Sequence, residues 1–147
     1  MFKSTNLVII GGDGVGKKSL KRLLKSKDIT EGEDDHISYL KSVNYTVAQL
    51  NIKTINIDQY DEDKYDKYIK FILYDITSVE SFKDSLILYN SIKDKSKLYI
   101  MGNKCDQHIE DEKFIIDKIL KDWSIKHFIF SVKELKNIEK VINILTY

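Results

Sequence analysis

A glycine-rich stretch near the start of the chain constrains the fold more than any other feature. It runs from Gly11 to Ser19 as GGDGVGKKS, directly after the apolar run Leu7–Ile10 and directly before a helical pattern of leucines. Glycines let backbone N–H groups turn inward around a phosphate without a clash of Cβ atoms, and the start of a helix adds partial positive charge. A strand, a glycine-rich turn and a helix in this order predict a phosphate-binding loop.

The residues predicted to contact phosphate share this loop and the first turn of the helix. They are Gly11, Asp13, Gly14, Val15, Gly16, Lys17, Lys18 and Ser19. Lys18 departs from the usual motif, because it stands where a Ser or Thr hydroxyl would bind Mg²⁺. Ser19 follows about 100° further around the helix, so we expect it to face away from the metal position. A glycine-rich turn that binds no ligand is the alternative interpretation.

Length and composition limit the possible classes of protein. The chain has 147 residues, which is typical of one domain with its own core, so we predict a single domain over residues 1–147. Its net charge of +1 comes from well-mixed acids and bases, which argues against nucleic-acid binding driven by bulk charge. The single cysteine, Cys105, excludes an internal disulfide and favours a reducing compartment such as the cytoplasm. No apolar stretch is long enough to span a membrane, and no signal peptide is predicted.

Apolar runs alternate with helical patterns along the chain, which predicts an α/β fold. We expect a six-stranded, mostly parallel sheet with helices on both faces. The predicted strands are 7–10, 43–47, 52–57, 69–76, 97–101 and 127–130, with the second and third joined as a hairpin near Asn51. The predicted helices are 17–25, 78–94, 110–123 and 135–147. Residues 26–38 are predicted as an exposed loop, and the acidic, tyrosine-rich residues 58–67 as a loop or a short solvated helix.

A second motif, Asn103-Lys104-Cys105-Asp106, directly follows a predicted strand. The carboxyl end of a parallel strand is where open α/β sheets bind ligands. An aspartate such as Asp106 can accept hydrogen bonds from both N1–H and the exocyclic amine of guanine, a donor pair that adenine does not offer. Asn103 can link this loop to the phosphate loop, and the stem of Lys104 can lie across a base. Without a phosphate loop upstream, the motif would be an ordinary polar turn.

A third short segment, Ser131-Val132-Lys133, directly follows the last predicted strand. The backbone N–H of Val132 can donate to a guanine oxygen while the stem of Lys133 flanks the base. The triplet means nothing by itself, and it gains a function only beside the other two motifs.

The three motifs, in this order and each after a predicted strand, resemble those of the Ras-like small GTPases. Residues 74–82, YDITSVESF, look most like the Rab branch of that family. The resemblance covers almost the whole chain and implies a P-loop NTPase G domain that binds GTP or GDP. It further implies a cytoplasmic monomer whose partners are guanine nucleotide and protein effectors or regulators, with a role in signalling or vesicle trafficking.

The part of the family's site that binds metal and the γ-phosphate departs from the pattern. The family's spacing from Lys17 places Asp58 at the start of the Asp-x-x-Gly motif, where it would support Mg²⁺ indirectly. Asp61 replaces the glycine of that motif, and its carboxylate would repel the γ-phosphate unless a cation intervenes. Glu62 replaces the glutamine that orients the attacking water. The resemblance therefore leaves the catalytic residue and the need for Mg²⁺ open.

Two further family features are altered. The same spacing places His36 where the family has the threonine that closes over Mg²⁺ and γ-phosphate, with Thr30 as the alternative. The sequence ends at Tyr147 without the prenylated cysteines of Rab proteins. We therefore expect no intrinsic membrane anchor, unless the sequence is a truncated domain, and contact with membranes only through partners.

These departures favour one function and leave two alternatives. The favoured function is a Rab-like protein that binds guanine nucleotide, hydrolyses it weakly or not at all, and acts as a binding module. The first alternative is an authentic but slow GTPase switch that needs a partner to supply the missing groups. The second is a G-domain fold that has lost nucleotide binding and serves only protein contacts.

Overall fold

The centre of the molecule is one sheet of seven strands in the order β2-β3-β4-β1-β5-β6-β7. The computed structural model describes residues 2–26, 29–31, 37–41, 47–104 and 126–133, together with positions 137, 140, 141, 144 and 145. The strands are β1 Phe2–Ile10, β2 Ile29–Glu31, β3 Ile37–Lys41, β4 Val47–Ile55, β5 Ile69–Asp75, β6 Leu98–Asn103 and β7 His127–Ile129. The helices are α1 Lys17–Ser26 and α2 Val79–Ser91, with a short 3-10 helix at Ile57–Gln59.

The pairing of the strands confirms the predicted α/β class and corrects the strand count. β1 pairs in parallel with β4 and β5, β5 with β6, and β6 with β7, so five strands are mutually parallel. β3 pairs antiparallel with β4, and β2 antiparallel with β3. The prediction of six strands is wrong, because β2 lies in the polar segment 26–38 that we expected to be a loop. A three-residue strand at the sheet edge is formed by backbone hydrogen bonds and needs no alternating apolar pattern.

The predicted hairpin exists, but its position along the chain is different. Its strands are β3 and β4, joined by residues 42–46, and not two strands that turn near Asn51. Asn51 lies within β4, opposite Asn6 of β1, and its Nδ2 donates to Asn6 Oδ1 at 2.9 Å. β1 and β4 pair over nine consecutive residues, so β4 continues without interruption through Asn51, where the sequence predicted a turn.

Helices cover both faces of the sheet, as predicted. Neighbouring residues of β1 point to opposite faces, so Leu7 and Ile9 pack with Leu20 and Leu24 of α1. On the other face Val8 and Ile10 belong to the core that includes Phe82, Leu88 and Tyr89 of α2. This two-sided burial explains why the second half of β1, residues 7–10, is an unbroken apolar run.

The helices begin and end close to their predicted bounds. Ser78 caps the start of α2, because its side chain accepts a hydrogen bond from the backbone N–H of Ser81. Residues 140, 141, 144 and 145 are helical, within the predicted helix 135–147, and Val141 and Leu145 pack on the α1 side of the sheet. The predicted helix 110–123 lies outside the described residues. None of the described helices combines the length and the apolar character needed to cross a membrane.

The acidic segment after β4 packs on the core through its tyrosines. Tyr65 is only 3% exposed and belongs to the core on the α2 side. Its ring stacks with that of Tyr60 at 6.0 Å between centroids and meets the ring of Tyr68 edge-on at 5.0 Å. The segment is a short 3-10 helix followed by turns, in line with the predicted loop, but its tyrosine rings pack on the core, which the prediction of a solvated segment missed.

Candidate functional site

The phosphate loop joins β1 to α1 at the carboxyl edge of the sheet. Gly14 and Gly16 have φ of 78° and 101°, the left-handed region in which glycine avoids a Cβ clash. The backbone N–H of Gly11 donates to the Ile55 carbonyl at 3.2 Å, and that of Leu20 to the Gly16 carbonyl at 3.0 Å. The first contact fixes the loop against the end of β4, and the second starts the hydrogen bonding of α1.

Lys17 reaches back across this loop. Its Nζ donates to the Gly11 carbonyl at 2.6 Å and to Asn56 Oδ1 at 2.6 Å. Burial lowers the pKa of Lys17 below its usual value, and the positive charge of Lys18 lowers it further. The carboxylates of Asp13 and Asp58 raise the pKa but do not outweigh the effect of burial. The ammonium is thus held over the loop, at the position that the sequence predicts for contact with outer phosphates.

Asn56 is a site residue that the sequence analysis missed. It follows β4 directly, beside Lys17, where the family's spacing had suggested the carboxylate of Asp58. Asp58 instead lies in the 3-10 helix and is exposed. The predicted strand 52–57 included Asn56, because the apolar residue Ile57 follows it, and so no role in the site was predicted for Asn56.

Asn103, at the end of β6, holds three segments together. Its buried side chain donates from Nδ2 to the Val15 carbonyl at 3.0 Å. Its Oδ1 accepts from the backbone N–H of Lys104 at 2.8 Å and from that of Val132 at 3.4 Å. A Cβ on Gly16 would lie 2.2 Å from Asn103 Nδ2, so the close approach requires glycine. The link between Asn103 and the phosphate loop that the sequence suggested is present.

Lys104 adds a second bridge to the phosphate loop. Its Nζ donates to the Gly14 carbonyl at 2.8 Å and pairs with Asp75 Oδ2 at 3.0 Å. Asp75, at the end of β5, also accepts from the N–H and the hydroxyl of Thr77. Burial alone would raise the pKa of Asp75, but the hydrogen bonds from Thr77 and Lys104 outweigh it and lower the pKa. The sequence analysis did not identify Asp75 as a partner of Lys104.

Two adjoining cavities lie along these loops. The first, of about 590 Å³, is lined by six of the eight predicted phosphate-binding residues: Asp13, Gly14, Gly16, Lys17, Lys18 and Ser19. The second, of about 200 Å³, is lined by five of the six predicted guanine-binding residues: Asn103, Lys104, Ser131, Val132 and Lys133. We call them the phosphate cavity and the base cavity.

The two cavities share Gly16, Ser19 and Lys104, so they are continuous along the loops. Ser19, which we expected to face away from the metal position, therefore lines both of them. Gly11 and Val15, the other two predicted phosphate-binding residues, are buried parts of the loop and line neither cavity.

The predicted switch and water-orienting residues make other contacts. Glu62 Oε1 accepts from the backbone N–H of Lys93, just beyond α2, at 2.8 Å. Asp61 Oδ1 accepts from the N–H groups of Asp63 at 3.0 Å and Lys64 at 3.4 Å. Neither carboxylate lines the phosphate cavity or the base cavity. Both instead hold the turn that follows the 3-10 helix.

Of the three remaining predicted residues, one lies in an edge strand and two are outside the described residues. Thr30 is in β2, the edge strand of the sheet, whereas His36 and Asp106 fall outside the described residues. Within the described part of the chain, no group of three or more His, Cys, Asp or Glu side chains is placed to hold a metal ion.

Comparison with known proteins adds no relative to this picture. No protein-family model matches the chain, and a search of curated proteins finds no match. The residues and the geometry of the two cavities are therefore the basis on which a function can be assigned.

Proposed function

We propose that this chain is a guanine-nucleotide-binding protein of the Ras-like type that hydrolyses GTP weakly or not at all. The observation that carries the proposal is the set of hydrogen bonds made by Asn103, which joins Val15 of the phosphate loop to Lys104 and Val132. These contacts bring all three sequence motifs to one edge of the sheet. A nucleotide can extend from the phosphate cavity to the base cavity in the order of the motifs.

The phosphate cavity suits an anion. The ten-residue helix α1 begins at the end of the phosphate loop, and the start of a helix carries partial positive charge and unpaired N–H donors. The ammonium groups of Lys17 and Lys18 both belong to this cavity. Two cations and a helix start favour a diphosphate or triphosphate over an uncharged ligand.

Guanine selectivity comes from Asp106 in this proposal. It stands three residues after Asn103 and two after Lys104, which line the base cavity. A carboxylate can accept hydrogen bonds from both N1–H and the exocyclic amine of guanine, whereas adenine offers no such pair of donors. The stem of Lys133 then flanks the base, whereas the N–H of Val132 is directed to Asn103 Oδ1 at 3.4 Å.

The residues present do not fit a magnesium site of the family's kind. Mg²⁺ is held by carboxylates, hydroxyls, phosphates and water. The phosphate cavity does include the carboxylate of Asp13 and the hydroxyls of Ser19 and Thr54. The position that the motif reserves for the hydroxyl ligand, however, holds the ammonium-bearing Lys18. An ammonium about 4 Å from a phosphate oxygen contributes about 4 kcal/mol at an effective dielectric constant of about 20, before desolvation. In the proposed complex Lys18 therefore supplies part of the charge that a metal would supply.

Weak hydrolysis follows from the contacts of Asp61 and Glu62. Hydrolysis of a γ-phosphate depends on a positioned water and on neutralisation of the developing charge. Both carboxylates are occupied by backbone N–H groups of the turn and of the segment after α2, and both are negatively charged. They neither orient a water in the phosphate cavity nor neutralise charge there.

Isothermal titration with GDP and with ATP tests the assignment of the base. We expect Asp106→Asn to lower GDP affinity at least tenfold, since a charge-assisted hydrogen bond is worth about 1.5–3 kcal/mol. The matched control Asp63→Asn, on the exposed turn, should bind GDP like the wild type. Equal binding of ATP and GDP by the wild type, or an unaffected Asp106→Asn variant, would argue against guanine recognition.

Single-turnover hydrolysis of GTP tests the second half of the proposal. We expect no hydrolysis above the uncatalysed rate in the wild type. Turnover at a rate typical of active small GTPases, abolished by Lys17→Ala, would show that a slow or partner-dependent switch is the better description.

A further inference from the structure

A third cavity, of about 520 Å³, opens between the phosphate loop, the 3-10 helix and α2. Its α2 wall consists of Asp84, Ile87, Leu88 and Ser91. Their spacing of three and four residues places them in one stripe along the helix. The facing wall includes Asp13 of the phosphate loop and Asp58 of the 3-10 helix. We call this cavity the α2 groove.

Ile87 makes the α2 groove unusual. It is 70% exposed, and the only other large apolar side chain exposed among the described residues is Val79, at 39%. Leu88, one residue further, is 8% exposed and belongs to the core. A single exposed isoleucine is common on protein surfaces, but Ile87 lines a concave site next to the buried Leu88 and so gives the groove an apolar wall.

The side chains that line the groove carry only negative charge, although Lys17 of the adjoining phosphate loop interacts electrostatically with Asp13 and Asp58. Three carboxylates line it, those of Asp13, Asp58 and Asp84, and no lysine or arginine does. Within the described residues the one salt bridge is that between Lys104 and Asp75, so these three carboxylates have no cationic partner within 4.0 Å. A complementary ligand therefore carries positive charge close to its apolar group.

We propose that the α2 groove is the anchor pocket for a basic, apolar segment of a partner protein. An apolar side chain of that segment packs on Ile87 and Leu88, and a neighbouring Lys or Arg lies near Asp58 and Asp84. A cavity of this size is smaller than a stable interface, which buries about 1,200–2,000 Å², but it is typical of the central pocket in which binding energy concentrates. The α2 groove shares Asp13 and Asn56 with the phosphate cavity, whereas Ile87, Leu88 and Asp84 line the groove alone, so a partner can bind there whether or not a nucleotide is bound.

The test starts from random dodecapeptides displayed on phage and selected on the immobilised full-length chain. Selected sequences are then synthesised with fluorescein, and their dissociation constants are measured by anisotropy. We expect the selected peptides to combine Lys or Arg with Leu, Ile or Phe. Ile87→Ser and Asp84→Lys should each weaken binding at least tenfold, because one removes the apolar contact and the other reverses the charge.

Matched controls lie on the same helix. Val79→Ser removes the other exposed apolar side chain, and Glu80→Lys reverses an exposed charge outside the groove. Both should bind the peptides like the wild type. All four positions are solvent-exposed, and circular dichroism checks that each variant folds.

Three outcomes would overturn the proposal. The first is a selection that enriches no peptides or acidic peptides. The second is equal binding to the wild type, Ile87→Ser and Asp84→Lys. The third is sedimentation of the wild type as a dimer and of Ile87→Ser as a monomer, which would identify a second copy of this chain as the occupant.

Discussion

At the scale of single residues, Lys18 and Asn56 decide how charge is balanced in the phosphate cavity. Both line it, and Asn56 holds Lys17 through a 2.6 Å hydrogen bond. An ammonium and an amide stand where a hydroxyl and a carboxylate would favour Mg²⁺. The proposed balance therefore uses fixed lysine charge in place of a metal ion.

The first prediction concerns EDTA. We expect GDP affinity of the wild type to change less than twofold when EDTA replaces Mg²⁺. Lys18→Ser should lose affinity in EDTA, and the double variant Lys18→Ser/Asn56→Asp should depend on Mg²⁺ more strongly, because it restores both an oxygen ligand and a carboxylate. Titration of the three proteins with GDP in each condition measures this. Strong EDTA sensitivity of the wild type would contradict the role given to Lys18.

His127 carries a second residue-scale prediction, on pH. Its ring is half-buried, its Nε2 lies 2.7 Å from the Tyr74 hydroxyl, and burial lowers its pKa from 6.5 to about 4. Between these pH values the unfolded chain binds more protons than the folded one, so stability is present above pH 6.5 and is lost as pH falls toward about 4.

Urea unfolding at several pH values measures this effect. The free energy of unfolding should fall by about 2 kcal/mol more in the wild type than in His127→Gln between those limits, allowing for partial exposure of the ring. The carboxylates titrate in both proteins and cancel in the comparison. Parallel curves for the two proteins would show that His127 is protonated freely in the fold.

At the scale of elements, the phosphate loop and the loop after β6 are interlocked. Asn103 and Lys104 bind carbonyls of Val15 and Gly14, and Gly16 leaves the room that Asn103 occupies. The two loops therefore form one structural unit, and we expect a substitution in one loop to disturb the conformation of the other.

A pair of glycine substitutions tests this unit. In Gly16→Ala the new Cβ meets Asn103 Nδ2 at 2.2 Å and the residue keeps a φ of 101°, so we expect a loss of at least about 2 kcal/mol in stability and of GDP binding. Gly12→Ala is the matched control, because a Cβ there meets no atom within 4 Å. Equal denaturation midpoints for both variants would show that the loops are not packed as described.

The elements also show what the sequence could and could not predict. The phosphate loop, β5, β6 and α2 were predictable, because their glycine spacing and apolar periodicity are local signals. β2 and the register of β3 could not be predicted, since backbone pairing at a sheet edge does not require a recognisable pattern of side chains. The turn containing Tyr65 was misjudged because its acidic residues suggested solvent, whereas its tyrosines pack on the core.

The candidate site was predictable to a similar extent. The roles of Asn103 and Lys17 follow from motifs, and the structure brings both to the same edge of the sheet. Asn56 and Asp75 were missed, because their partners Lys17 and Lys104 are far away in sequence. Such contacts arise from the parallel arrangement of strands and cannot be read from local spacing.

At the scale of the whole molecule, the parallel sheet gathers the site at one edge. β1, β4, β5 and β6 end at Ile10, Ile55, Asp75 and Asn103, and the residues that follow these ends form or support the two cavities. The cores on both faces hold these strand ends in place, so the cavities lie on the most buried strands of the fold. This is the edge at which parallel α/β sheets bind ligands.

The most direct test of the account is calorimetric titration of the unaltered chain with GDP and, separately, with ADP. The account predicts saturable binding of GDP with one site per chain, at least tenfold weaker binding of ADP, and loss of GDP binding in Lys17→Ala. No heat of binding with either nucleotide, or equal affinity for both, would contradict the claim that the two cavities hold a guanine nucleotide.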